Sequence, residues 1–237
     1  MNNPNLAILE LVAQALGPVC ADVVFVGGCA TGLLLTLERP DHIRITEDVD
    51  IVAQALSPRE YHAIEQRVRA QGFRNDVREN APICRWVYKN VTLDLMPTVE
   101  NILGFANRWY PLAVESAQEL VLPSGTQIKL ISAPLFIATK LEAFKDRGKT
   151  ENGQPDYLGS HDMEDIITVV DRRPELLAEC RGMTLLLRDY LAQEFESLFA
   201  QPDFQTTLAG HLPGDAASQQ RLRSLTNTLR EFTKLNT

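Results

Sequence analysis

Three aspartates and a pair of glycines are the residues of this chain whose types and spacing can do chemistry. Asp48 and Asp50 stand two apart in the run Thr46-Glu47-Asp48-Val49-Asp50-Ile51-Val52. On a strand, residues i and i+2 point to one face, so both carboxylates can hold a single divalent cation. Without a cation, two such carboxylates at the mouth of a buried strand repel each other. Gly27-Gly28 follows a short apolar run upstream. Glycine permits the positive φ and close backbone approach that a phosphate-cradling turn needs, and a helix opened by that turn attracts anions. A third acid, Asp94, lies in the strand-like run Val91-Thr92-Leu93-Asp94-Leu95-Met96. A phosphate seat and a magnesium seat together are what nucleoside triphosphate chemistry requires, and the trio of acids points to an enzyme.

Each of these residues has a plainer alternative. The Asp48/Asp50 pair can be a strand-end acid cluster, and Asp94 a metal ligand, a general base or an ordinary strand-edge acid. Three carboxylates are a common complement in two-metal phosphoryl transfer, so ligation combined with activation of the nucleophile is the reading taken for Asp94. Thr31 can donate its hydroxyl to phosphate or simply cap its own turn. Lys140 and Arg147 lie seven apart beside the helical stripe Leu135, Ala138, Leu141 and Phe144. They can neutralise a triphosphate, or Lys140 can snorkel at a core margin. Asp162 and Asp165, three apart, are of the kind a helix dipole favours at a helix start.

The elements that must position these residues predict an α+β protein with a mixed sheet. Helices are expected over 5–16, 29–37 and 57–71, with strands over 22–26, 46–53, 83–89 and 91–96 and a hairpin over 120–131. A turn at Lys89-Asn90 separates the third and fourth strands, and a polar loop spans 38–44. From 133 onward only helices are expected, over 133–145, 161–170, 174–180, 184–199, 203–209 and 217–235, with a polar loop at 146–159. Residues 1–132 are thus read as an α/β domain carrying the metal site, and 133–237 as a helical domain closing the cleft.

Composition narrows the function. A net charge of −8 and a pI near 5.1 count against non-specific nucleic-acid binding. A local positive excess at Arg67, Arg69, Arg74, Arg78, Arg85 and Lys89 fits either a solvated face or a substrate contact. Cys20, Cys29, Cys84 and Cys180 show no CxxC spacing and read as buried reduced thiols. The four histidines form no zinc-type pair. No apolar run is long enough to span a bilayer, and residues 1–17 lack the basic start of a secretory signal, so the protein is expected in the cytoplasm.

Taken together these residues resemble the nucleotidyltransferase superfamily of DNA polymerase β-like fold. Within it, the closest resemblance is to the abortive-infection toxin nucleotidyltransferases (the AbiEii/AbiGii toxin family). The residues that carry it are Gly27-Gly28, Thr46-Glu47-Asp48-Val49-Asp50, Lys140-Leu141-Glu142-Ala143 and Asp162-Met163-Glu164-Asp165-Ile166. The match covers roughly 23–170; a long Gly28-to-Asp48 spacing and Gly28 in place of serine are its departures. The resemblance implies an NTP held with Mg2+ or Mn2+ through Asp48 and Asp50. Asp94 would complete the site or deprotonate the acceptor, and Gly27, Gly28, Thr31 and Lys140 would bind the nucleotide, with Arg147, Asp162 and Asp165 in support. It further implies transfer of an NMP to RNA (tRNA) or protein, and a cognate antitoxin of a type IV toxin–antitoxin system as partner. A small-molecule nucleotidyltransferase of the aminoglycoside-resistance kind and a non-catalytic nucleotide-binding module are the competing expectations.

Overall fold

The computed structural model describes residues 3–39 and 43–236, so part of the loop expected at 38–44 lies outside the described residues. The chain divides into two compact units, one of Asn2–Leu33 with Ile43–Thr139 and the other of Leu34–His42 with Lys140–Thr237.

The first unit is built on a seven-stranded mixed sheet. Its strands are β1 (Val23–Val26), β2 (Asp48–Ala53), β3 (Arg74–Asn75), β4 (Arg85–Tyr88), β5 (Val91–Met96), β6 (Gln118–Val121) and β7 (Gln127–Leu130). They are ordered β3-β4-β5-β2-β1-β7-β6. β2 runs antiparallel to β1 but parallel to β5, and β7 runs parallel to β1. The interior strand β1 is buried along its whole length, as expected of its unbroken Val-Val-Phe-Val run. Leu93 and Leu95 of β5 alternate into the core beside Ile51, Phe25 and Trp86.

Helices α1 (Leu6–Leu16), α2 (Gly27–Leu34), α3 (Pro58–Ala70), α4 (Glu100–Leu103) and α5 (Tyr110–Glu115) are interleaved with these strands. α3 starts where its sequence predicts, with Ser57 accepting a hydrogen bond from the Glu60 amide and Pro58 at the first helical position. α2 begins at Gly27 itself, so the Gly-Gly pair forms the first turn of the helix rather than a turn ahead of it. The short α4, α5, β3 and the 3-10 turn at Gly17–Asp22 have no counterpart among the expected elements. Each is too brief to establish a hydrophobic period.

α6 (Ala133–Arg147) contains the division between the units, and the second unit continues entirely in helices. These are α7 (His161–Arg172), α8 (Leu176–Arg181), α9 (Leu185–Phe199), α10 (Pro202–Thr207), α11 (Ala216–Gln220) and α12 (Leu222–Phe232). The single helix expected over 217–235 therefore divides at Arg221. Phe195 of α9 and Phe232 of α12 stack at 4.6 Å within this unit's core. No helix among the described residues is long and apolar enough to cross a membrane.

Candidate active site

The site is a row written across neighbouring strands. Val26 of β1 lies opposite Asp50 of β2, Asp50 lies opposite Asp94 of β5, and Asp94 lies opposite Arg85 of β4. Asp48 sits one pleat away on the Asp50 face. The result is three carboxylates, from Asp48, Asp50 and Asp94, with ligand oxygens all within 4.8 Å of one another.

That arrangement suits a hard divalent cation. The three carboxylates lie near enough to one another to share a small divalent cation. The donors are all oxygen, with neither His nor Cys in the group, which favours magnesium or manganese over zinc.

Gly27 completes the geometry from the β1 side. Its φ is +69°, and a Cβ built there would overlap the Asp50 carboxylate. Glycine is thus required twice, once by the backbone and once by the acid packed against its Cα. We expect Gly27→Ala to cost about 1–3 kcal/mol and to displace Asp50. Calorimetry and a Mn2+ titration would check this, and a variant matching wild type in both would leave Gly27 without this role.

The segment leading into Asp48 is fixed by a side chain rather than by the sheet. Asn5, fully buried, donates from Nδ2 to the Arg44 carbonyl (2.8 Å) and accepts at Oδ1 from the Thr46 amide (3.0 Å). Its amide thereby imitates the edge of a neighbouring strand. Thr46 in turn donates its hydroxyl to the Asp48 carbonyl at 2.9 Å. On the other side, Tyr61 of α3 donates to the Leu95 carbonyl at 2.7 Å, next to Asp94.

Arg85 is the site residue that motif reading does not isolate. Its Nε and Nη2 donate to Asp94 Oδ1 and Oδ2 at 2.8 and 2.7 Å, and Nη2 stands 3.9 Å from Asp48 Oδ2. The bond to Asp94 raises the Arg85 pKa well above the ordinary arginine value. Burial, followed by the negative charge of Asp94, pushes the neighbouring Cys84 thiol up to about 12, which makes it an unreactive sulfur. All four cysteines are buried, and none forms a disulfide. Most other members of the positive excess are occupied locally. Arg67 pairs with Asp22, Arg78 with Asp76, and Arg69 bonds Asn75 while lying over Trp86.

Gly28 and Thr31 lie in α2 with Gly27. Thr31 is 1% exposed, and its hydroxyl has no hydrogen-bond partner among the described residues. Lys140 is not on an amphipathic margin, because α6 is buried on all sides from Ala133 to Leu141. Its ammonium lies 3.0 Å from Asp162 and 2.7 Å from Asp165 of α7, and all three residues are buried. Arg147 adds a two-pronged contact to Asp162, 2.8 Å from Nε and 2.9 Å from Nη2. Desolvation pushes the Asp162 carboxyl up, but the Arg147 hydrogen bonds and the Lys140 charge outweigh it and hold the pKa at about 2. These four residues form one ion-pair cluster within the helical unit.

No protein-family model matches the chain, and neither does any curated protein. Among solved structures it is similar to JHP933 from Helicobacter pylori, with a TM-score of 0.44 and 16% identity over 98% of this chain and 91% of that one. It is similar also to a candidate nucleotidyltransferase from H. pylori, with a TM-score of 0.44 and 17% identity over 96% and 92%. Likeness at this level defines neither the family nor the activity of this chain.

Proposed function

We propose that this chain is a metal-dependent nucleotidyltransferase. The observation behind the reading is the cross-strand row that gathers Asp48, Asp50 and Asp94 beside a glycine whose Cα abuts Asp50. In this reading Asp48 and Asp50 hold Mg2+ or Mn2+, and the ion, when bound, neutralises triphosphate charge and acidifies the attacking hydroxyl. The backbone of Gly27 and Gly28 receives phosphate oxygens at the start of α2.

Asp94 orients the acceptor hydroxyl and takes its proton. The acceptor oxygen forms a bond to the α-phosphorus as the α–β phosphoanhydride breaks, and pyrophosphate leaves in line. Positioning and electrostatics supply most of the acceleration. Lys140, Arg147, Asp162 and Asp165 serve in this reading as the ionic core of the helical unit. The acceptor is RNA or protein, and the chain acts in the cytoplasm as an abortive-infection-type toxin with a cognate antitoxin. The local pairing of Arg67, Arg69 and Arg78 favours a second reading, transfer to a small cationic acceptor that needs no basic groove.

The test is incubation with Mg2+ and each α-labelled NTP in the presence of total RNA and protein. Label in RNA or polypeptide is the expected result. Pyrophosphate release only with small acceptors would establish the second reading, and release with no acceptor of any class would defeat both.

A further inference from the structure

The bond between Arg85 and Asp94 has a consequence for the carboxylate site that its three acids alone do not suggest. The guanidinium grips Asp94 side-on, one nitrogen to each oxygen, at 2.8 and 2.7 Å. This fork uses the directions from which a carboxylate most readily binds a cation. The same Nη2 leans toward Asp48 at 3.9 Å, so the positive group lies along the edge of the triad rather than away from it. A guanidinium stays charged at any pH a protein tolerates, so it can release Asp94 only by moving. The Arg85 side chain is 26% exposed against 10% for Asp94, which gives the arginine, and not the acid, a way out to solvent.

Charge makes the competition specific. Three carboxylates against one guanidinium leave a formal excess of two negative charges, which one divalent cation cancels. A second divalent ion would then meet a neutral site with a like charge inside it. With the arginine withdrawn, the excess is three, and a second ion becomes favourable once triphosphate shares the load.

We propose that Arg85 is a resident counterion of this site. While it holds Asp94 the site admits one divalent cation, through Asp48 and Asp50, and Arg85 must leave before Asp94 ligates a second cation or takes a proton. Arg85 is thus a positioning residue acting through Asp94. The inference rests on the metal reading of the triad given above. An ordinary cross-strand ion pair would make the opposite demand, since losing it would loosen Asp94 and weaken any bound ion.

Mn2+ titration of the full chain, followed by the electron paramagnetic resonance of free Mn2+, separates these possibilities without reference to activity. Wild type is expected to bind one ion. Arg85→Gln is expected to bind the ion at least ~10-fold more tightly, because a like charge beside the site has been removed. Its melting temperature without metal should fall, and Mn2+ should raise it by more than in wild type. Arg85→Lys keeps the charge but not the fork, and should tighten binding by a smaller factor; it also serves if Arg85→Gln does not fold. Unchanged or weaker Mn2+ binding in the folded variants would overturn the role of Arg85 and leave the metal site standing. Absence of Mn2+ binding in wild type and variants alike would overturn the metal reading itself.

Discussion

Asp50→Asn is expected to lower nucleotidyl transfer by on the order of 10^3-fold or more while leaving the fold at least as stable as before. The two halves of this result have one cause. Asp50 is the middle acid of the row, with Asp48 on its own strand and Asp94 opposite on the next. In the proposed reading it serves the cation from both directions, so its loss would open the site on both sides. The same position sets it between two like charges when no cation is bound. An uncharged isostere relieves that repulsion and keeps the close fit against Gly27. Catalytic positions in general hold groups that stability alone would not select. Pyrophosphate release measures the first half, and thermal melts with and without Mn2+ measure the second. Normal turnover in Asp50→Asn would sink the metal assignment. A melting temperature several degrees lower would make Asp50 a structural acid.

Lys140→Ala is expected to destabilise the protein by about 3–5 kcal/mol, the cost of breaking a buried ion pair by removing one partner. The substitution leaves Asp165, 2% exposed, without the ammonium beside it. Asp162 keeps its two-pronged contact with Arg147, so the loss falls mainly on Asp165. Against a typical total of about 5–15 kcal/mol, the loss is large, and it should appear as a fall of roughly 10 °C in melting temperature. Lys140→Met combined with Asp165→Asn should recover part of it by removing the charge that faced the ammonium. The cluster also carries a pH signature. Asp162 is depressed from 3.8 to about 2 in the fold, so its contribution is fully present above 3.8 and is lost as pH falls through 2. A folded Lys140→Ala protein with an unaltered melting temperature and a raised KM for NTP would instead return this lysine to the phosphate.

How much of this was legible depended on whether a residue's meaning is local. The Asp48/Asp50 spacing and the glycine pair declare themselves, because strand period and positive φ are properties of neighbouring residues. The hairpin at Lys89-Asn90 was legible too, and with it the pairing of Arg85 with Asp94, since both lie equally far from that two-residue turn. Counting that register outward would have singled out Arg85 from the other arginines. The packing of Gly27 on Asp50 was not legible, for it depends on β1 and β2 lying side by side across an intervening helix. Nor was the Asn5 clamp, which has no period and no motif. Lys140 was read as a phosphate-binding lysine with a core margin as its alternative, and burial of α6 from Ala133 to Leu141 removes that margin.

The transverse layout of the acidic row also bears on how the protein folds. Asp50 and Asp94 come from separate strands, with Gly27 directly after a third, and β2 lies between β1 and β5 in the sheet. Such non-local pairings close late and slowly, because the entropy of the intervening loops is lost before the contacts form. The complete triad therefore does not exist until β2 pairs with β5, which brings Asp94 to the Asp48/Asp50 pair. A cation that binds it binds only the finished sheet, and so adds its binding energy to the native state by mass action. Ligation and folding become a single equilibrium, in which the ion acts as the last clasp of a sheet whose own charges resist closing.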